Sequence, residues 1–433
     1  MLISNPYLDD HSTKIRNKNV PWDAYQRADL ITVEELGLIK KVDRQPRSRV
    51  ESVLLSEGST YVHLYLGLLK KVTRTDTQQC LLVWITDALA DHEERIPLFF
   101  QTSSIDSDLP YQPLLRSLDV QDEFIQLKAA QILTMLLSNE KSDALNQHLQ
   151  TFLQTLAQLV SSTTQHKRDV GVQCLECLLA RPTVRQAVWA HSAIIPRLLD
   201  ILKQNPGPQM SYQVAFCFWL LTFEQNVAEQ LDQKYDVIPV LVEVAKTAKE
   251  KVIRVIVAAF RNLVTKAPEA NLPAMLVGQL LPFARHLSQR KFSDEDILED
   301  VQFLKEELTV HFQNLTTYDE YTSELASGHL SWTPVHESDE FWKENAVKLN
   351  DKEHEQLKKL INLLRSSDDP NILAIAANDV GQYVKHYERG KKFVTDMGGK
   401  DRVMELMAHT NPEVRYRALL SVQQLVSQSW IVA

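Results

Sequence analysis

Four stretches decide the fold: AAQILTMLL at 129–137, VQCLECLL at 172–179, VAFCFWLL at 214–221 and VAAFRNLV at 257–264. With Leu136, Leu178, Leu220 and Leu263 as one column, they repeat at steps of 42, 42 and 43 residues. ANDVGQYV and LLSVQQLV, anchored on Tyr383 and Leu425, repeat again at 42. The gap from Leu263 to Tyr383, 120 residues, is close to three further periods. Six positions before the anchor stand Ala130, Val172, Val214, Val257, Ala377 and Leu419. Three before it stand Leu133, Leu175, Cys217, Phe260, Val380 and Val422, and one after it Leu137, Leu179, Leu221, Val264, Val384 and Val426. Every residue in these columns is apolar, and offsets of three and four place them on one helical face. A period near 42 built from helices is the mark of HEAT and armadillo repeats, in which each unit buries its apolar face only by stacking on its neighbours. The fold expected is therefore all-α, a helical-repeat solenoid.

Composition agrees. Only 11 of 433 residues are glycine, where average usage gives about 30. Phosphate loops, tight hairpins and doubly wound sheets consume glycine, so its scarcity favours helix. The chain is 44% hydrophobic, enough for a continuous core. Prolines fall between helical runs, at Asp369-Pro370, Arg181-Pro182, Asn205-Pro206-Gly207-Pro208 and Asn411-Pro412, where they start helices but cannot continue them. The net charge is −9 and no sustained basic stripe stands out, which argues against nucleic acid as the partner. The densest apolar run, Val214–Phe223, is core-helix length rather than membrane-spanning length, so no direct membrane insertion is expected. Four cysteines (Cys80, Cys174, Cys177, Cys217) in apolar helical runs do not make a disulfide scaffold and read as small hydrophobes in a reducing compartment.

Three places interrupt the repeat. Residues 1–50 read as a short extended arm followed by a helix. Lys40, Lys41, Arg44, Arg47 and Arg49 form a short basic run, read as a solvated loop rather than an anion-docking patch because Asp43 interrupts it. Near 315–320 the repeat phase is lost, and Trp332, Phe341 and Trp342 stand among turn residues, where they are expected as local core. The organisation expected is an arm and first helix (1–50), a large N-terminal solenoid (51–315), and a smaller C-terminal solenoid (316–433) joined by a short linker.

Motifs for chemistry are absent. Gly398-Gly399-Lys400 lacks the upstream glycine and the following Ser or Thr of a phosphate loop, and reads as a helix-ending turn. Cys174 and Cys177 have no second pair at zinc spacing, and their columns hold Phe216 and Trp219 in the next repeat. No HExxH or Gly-x-Ser-x-Gly occurs. Acid pairs such as Asp294–Asp296 and Asp368–Asp369 lie in polar stretches and read as solvated. No catalytic residue, metal ligand or cofactor is assigned.

The arm NPYLDD…IRNKNVPWDAYQRADLIT (Asn5–Thr32), the block YDEYTSELASGHLSWTPVHESDEFWKEN (Tyr318–Asn345) and the closing segment from Gly398 through MELMAHTNPEVRYRALLSVQQL resemble the H-subunit family of vacuolar-type proton ATPases. The most specific part is Trp332-Thr333-Pro334-Val335-His336 followed by Phe341-Trp342-x-x-Asn345. The resemblance implies a non-catalytic regulatory subunit on the cytosolic face of an acidic-organelle membrane. It implies docking of the larger part on the E and G peripheral-stalk subunits and of the smaller part on the cytosolic domain of the a subunit. It further implies support of proton transport in the assembled pump. In the detached sector it implies inhibition of ATP hydrolysis, through the catalytic-sector and rotor subunits. A linker between two solenoids would permit the rigid-body swing such a role needs. Within that frame, Ser366, Ser367, Asp368, Asp369, Pro370 and Asn371, an acidic proline-stiffened loop, are candidate partner contacts; the plainer reading is an inter-helix turn. Tyr7, Ile15, Trp22 and Tyr25 are candidates for docking the arm onto the chain's own groove. The alternative function is an armadillo-type adaptor that reads basic peptides or helical partners in another complex. Against it, only Asn262 follows the spaced tryptophan–asparagine pattern of such grooves, while Cys177 and Trp219 stand one residue before comparable anchors.

Overall fold

The computed structural model describes residues 3–315 and 317–427, so Thr316, inside the expected linker, and the end of the expected C-terminal part lie outside the described residues. Among the described residues every regular element is helical. Packing divides the chain into Met1–Leu304 and Lys305–Ala433, a division that falls inside the continuous helix Glu295–Leu315.

In the first unit the quoted stretches form a stack. Helices Thr75–Leu89, Glu123–Asn139, Gln165–Leu178, Pro208–Leu221 and Glu250–Lys266 each pack on the next. A second rank, Ala144–Val160, Ile194–Lys203 and Val237–Thr247, packs behind them in the same succession. The repeat columns supply the core: Ala130, Val172, Val214 and Val257, and Leu133, Leu175, Cys217 and Phe260, are all buried. Local signals set the starts. Asp122 accepts from the Ile125 amide, and Pro182, Pro208 and Pro268 open their helices. Truncating any one fully buried leucine of the stack to alanine costs about 2–5 kcal/mol in such surroundings.

The first 50 residues depart from expectation. The arm is helical rather than extended: Pro6–Arg16 and Trp22–Arg27, followed by Val33–Val42. Asn5 accepts from the Tyr7 amide and Pro6 occupies the first turn, a cap-plus-proline start that favours helix. Thr32 and Glu35 form a complete capping box on the third helix.

The second unit is built on Tyr318–Ser327, Asp339–Asn345, Asp351–Ser366, Pro370–His386, Gly399–Leu406 and Pro412–Val426. The sharpest sequence block forms its centre. Trp342 and Phe341 are buried with Tyr321, whose ring meets both edge-on at 5.4 Å. Trp332 is partly buried, with the Arg417 guanidinium 4.4 Å above its ring. His336 is fully buried. Its Nδ1 donates to Asp379 at 2.8 Å, and its Nε2 lies 3.3 Å from a Glu324 oxygen, an ion-pair contact rather than an aligned hydrogen bond. Tyr321 donates to the same Asp379, and the Asn378 amide holds the His336 carbonyl. Burial by itself pulls the His336 imidazole down. The Asp379 and Glu324 carboxylates outweigh it and push it up to about 10, so the group is an imidazolium held between two carboxylates.

That geometry sets a pH dependence. His336 titrates near 6.5 when unfolded and at about 10 when folded, so its stabilisation is complete below pH 6.5 and is lost as pH rises to about 10. The expected outcome is a stability gap between the wild type and His336→Gln that narrows steadily from pH 6.5 to pH 10. Thermal unfolding followed by tryptophan fluorescence measures it, and a gap constant across that range would contradict the ion pair.

Candidate functional site

The arm lies across three helices of the stack. Leu8 and Ile15 are buried, as is Ile3 in the short lead before the first helix, where the backbone itself is held. Gln131 donates to the Ile3 carbonyl at 2.8 Å, and the Ser4 amide donates to Gln173 at 3.0 Å. Tyr7, half-buried, stacks on His166 at 4.1 Å. Arg16 makes a two-pronged pair with Asp87, at 2.9 and 2.6 Å. Trp22 is buried on Trp84, 5.6 Å between ring centres, and the Tyr25 hydroxyl shares a 2.7 Å hydrogen bond with Thr77. Tyr7, Trp22 and Tyr25 therefore meet the Thr75–Leu89 helix and the start of Gln165–Leu178, and Ile15 is buried between them in the chain. The residues that receive them, Thr77, Trp84, Asp87, Gln131, His166 and Gln173, are 52 to 169 positions from their partners, and no local pattern marks them.

One buried cation lies under this contact. Lys128, on Glu123–Asn139, is buried, and the charges that reach it include Asp9 and Arg16 of the arm. Burial lowers its ammonium to about 8, with Asp87 and Asp9 acting in the opposite sense.

The Ser366–Asn371 loop is an exposed connection between Asp351–Ser366 and Pro370–His386. Its two acids differ. Asp369 caps the following helix, accepting from the Asn371 amide at 2.8 Å, with Pro370 in the first turn. The Ser367 hydroxyl accepts from the Asp369 amide, and Ser366 donates to the Asn362 carbonyl. Asp368 is exposed and its carboxylate has no partner among the described residues. Nearby, Gly398 takes a left-handed φ of +70° between two helices, and the Arg365 guanidinium sits where its side chain would be, donating to the Met397 carbonyl. Gly398 is thus the turn between the helices, and Gly399 and Lys400 open the second of them.

Elsewhere chemistry gives way to packing and pairing. Burial pushes the Cys177 thiol up to about 11 and the Cys80 thiol up to about 12, and raises Cys174 and Cys217 as well, which keeps them protonated and unreactive. In the basic run, Lys40 pairs with Asp23, Lys41 with Glu57, and Arg47 lies 3.9 Å from Asp91. The acids at 294–296 are not merely solvated, as their polar surroundings suggest. Arg254 bridges Asp294, Asp296 and the buried Asp300, and Arg261 joins Glu299 to Asp300.

A family model described as the H subunit of the V-ATPase matches residues 6–308, and a second with the same description matches residues 314–430. The V-type proton ATPase H subunit of Drosophila melanogaster is 36% identical over 437 residues, covering 99% of this chain and 92% of its own length. A probable V-type proton ATPase H subunit of Caenorhabditis elegans, the one numbered 2, is 33% identical, covering 99% and 93%. The probable V-type proton ATPase H subunit of Oryza sativa subsp. japonica is 30% identical, covering 95% of each. An engineered protein of known crystal structure matches with a TM-score of 0.50 at 15% identity, covering 98% of this chain and 100% of that one, a likeness of fold alone.

Two outcomes are expected. Asp369→Ala lowers stability by about 1 kcal/mol through the lost cap while Asp369→Asn retains it. Asp368→Ala leaves stability within about 0.5 kcal/mol. Urea denaturation separates them. Lys128 at about 8 in the folded chain, against 10.5 for a free lysine, means that its protonation opposes folding at neutral pH. Lys128→Met is expected to raise the melting temperature at neutral pH, an advantage that fades as pH rises toward 10, and thermal unfolding across that range measures it.

Proposed function

This chain belongs to the H-subunit family of the V-ATPase, and from that premise we propose how it serves the pump. It is a regulatory subunit of the vacuolar-type proton ATPase. In the assembled enzyme it supports ATP-driven proton transport. On the detached peripheral sector it suppresses ATP hydrolysis, acting on the catalytic and rotor subunits without an active site of its own. The larger solenoid (51–315) takes the E and G stalk subunits, and the smaller (316–433) takes the cytosolic domain of the a subunit, with the Ser366–Asn371 loop among its contacts. The chain works at the cytosolic face of an acidic organelle, held there through the pump. No helix among the described residues is long and apolar enough to cross a membrane.

The observation that carries this reading is the match of both family models, one over 6–308 and the other over 314–430, to a chain whose packing also forms two units. Stacked repeats suit the role physically. They offer long surfaces to elongated helical partners, and each surface is rigid because every helix is fixed by its neighbours.

The test is ATP hydrolysis by pump material stripped of its native copy of this protein, before and after adding the purified chain. Hydrolysis is expected to rise in the membrane-bound pump and to fall in the detached sector. If neither changes and the chain does not co-sediment with either preparation, the regulatory reading fails.

A further inference from the structure

A helical-repeat stack normally ends on a repeat with a polar outer face, because the last apolar face has no neighbour to bury it. The helix Pro412–Val426 ends otherwise. Tyr416, Leu419, Leu420 and Val426 are 54%, 47%, 37% and 57% exposed. With Gln423 they lie on one side of the helix, spread over about a third of its circumference.

The repeat register identifies what this face corresponds to. Moving back 42 residues, Tyr416, Leu419, Leu420, Gln423 and Val426 become Ala374, Ala377, Asn378, Gly381 and Val384 of Pro370–His386. All five of those are buried. That side of the earlier helix is the one on which Pro412–Val426 packs. A side chain at Gly381 would come within 3.0 Å of the Ser421 Cα, and Arg417 donates to Asn378 at 3.2 Å. The last helix thus repeats, with larger apolar side chains, the surface that receives a helix one repeat earlier. Among the described residues nothing covers it.

Charge says what kind of helix fits. Arg415, at one end of the face, donates only to the His409 and Thr410 carbonyls. Lys391, at the other end, donates to the carbonyl and hydroxyl of Ser427. Neither meets a carboxylate among the described residues. Residues 385–427 carry eight lysines and arginines against five acids, although the whole chain is at −9. We propose that the exposed face of Pro412–Val426 is a docking surface for an amphipathic helix of another protein, one with an apolar stripe flanked by acidic residues. The face runs from Arg415 to Ser427, about 18 Å at 1.5 Å per residue, so the partner supplies three turns or more. A second copy of this chain fits poorly, since pairing two such faces brings the same unpaired cations together. The proposal stands apart from the pump reading and does not depend on it.

The experiment uses the full chain and fluorescein-labelled synthetic 21-residue helices: one with a leucine stripe and glutamate flanks, one with the same stripe and lysine flanks. Fluorescence anisotropy is expected to show the glutamate-flanked helix binding at least about tenfold more tightly, with the preference shrinking as salt is raised. Leu419→Glu is expected to lose about tenfold in affinity, and Arg415→Glu to reverse the flank preference. Both side chains are exposed, so both variants should stay folded, with Arg415→Glu melting somewhat lower for its two lost carbonyl hydrogen bonds. If Leu419→Glu melts early, the flank reversal by Arg415→Glu decides alone. Equal binding of the two helices, or no loss in either variant, overturns the proposal. So does self-association of the wild type that Leu419→Glu abolishes, which would make a second copy the occupant. Binding by a chain ending at Ser427 but not by the full chain would make residues 428–433 the occupant, and overturns it equally.

Discussion

Gly381 of Pro370–His386 faces Ser421 of Pro412–Val426 so closely that a single methyl group would reach the Ser421 backbone. This contact shows the constraint under which the whole chain is built. A helix in either unit buries its apolar face against the matching helix one repeat along and against its neighbours within the repeat. The sequence must therefore keep the same columns apolar every 42 residues, and it must vary their size so that successive faces interlock. Alanine and valine six positions before the anchor permit the approach, and leucine, phenylalanine or cysteine three before it fills the gap. Because each interface depends on the next, stability is distributed along the stack rather than concentrated in one core.

The polar contacts obey the same period. Arg185 pairs with Glu224 at a separation of 39, Arg254 with Asp294 at 40, Asn262 with Thr222 at 40, Asn271 with the Ala228 carbonyl at 43, and His336 with Asp379 at 43. The first four link one repeat to the neighbouring one. Exposed pairs such as Lys40 with Asp23 contribute little, about 0–1 kcal/mol. The buried His336–Asp379 pair differs, because two charges removed from water must meet each other or cost several kcal/mol. It ties the Trp332–His336 block, which follows no repeat, to a repeat helix, and so fixes how the non-periodic start of the second unit seats on its stack.

Stacking leaves two kinds of surface. The first unit covers part of its stack with its own arm, using an apolar anchor pair, an arginine clamp and backbone capture. Among the described residues the second leaves a face of the last helix uncovered and has an acidic loop in which Asp369 caps a helix and Asp368 has no partner. The docking face proposed above is thus not an addition to the scaffold but a face that the repeat makes and, among the described residues, does not fill.

The sequence by itself determined the helical class, the 42-residue stack, its apolar columns and the family. Each of these depends on spacing along one helix or on short motifs, and helical periodicity is a local property. It also carried the signal for a helical arm, since Asn5-Pro6 is a helix start, but the polar composition of residues 5–27 pointed to an extended segment. Only the tertiary structure decided where that arm lies, which of Asp368 and Asp369 is engaged, that Asp294 and Asp296 are paired through Arg254, and that Leu419 and Val426 are exposed although their columns are buried elsewhere. The physical reason is the same in each case. Burial and pairing depend on what stands opposite, and the groups opposite come from distant positions, or, at the end of the stack, from no described part of the chain.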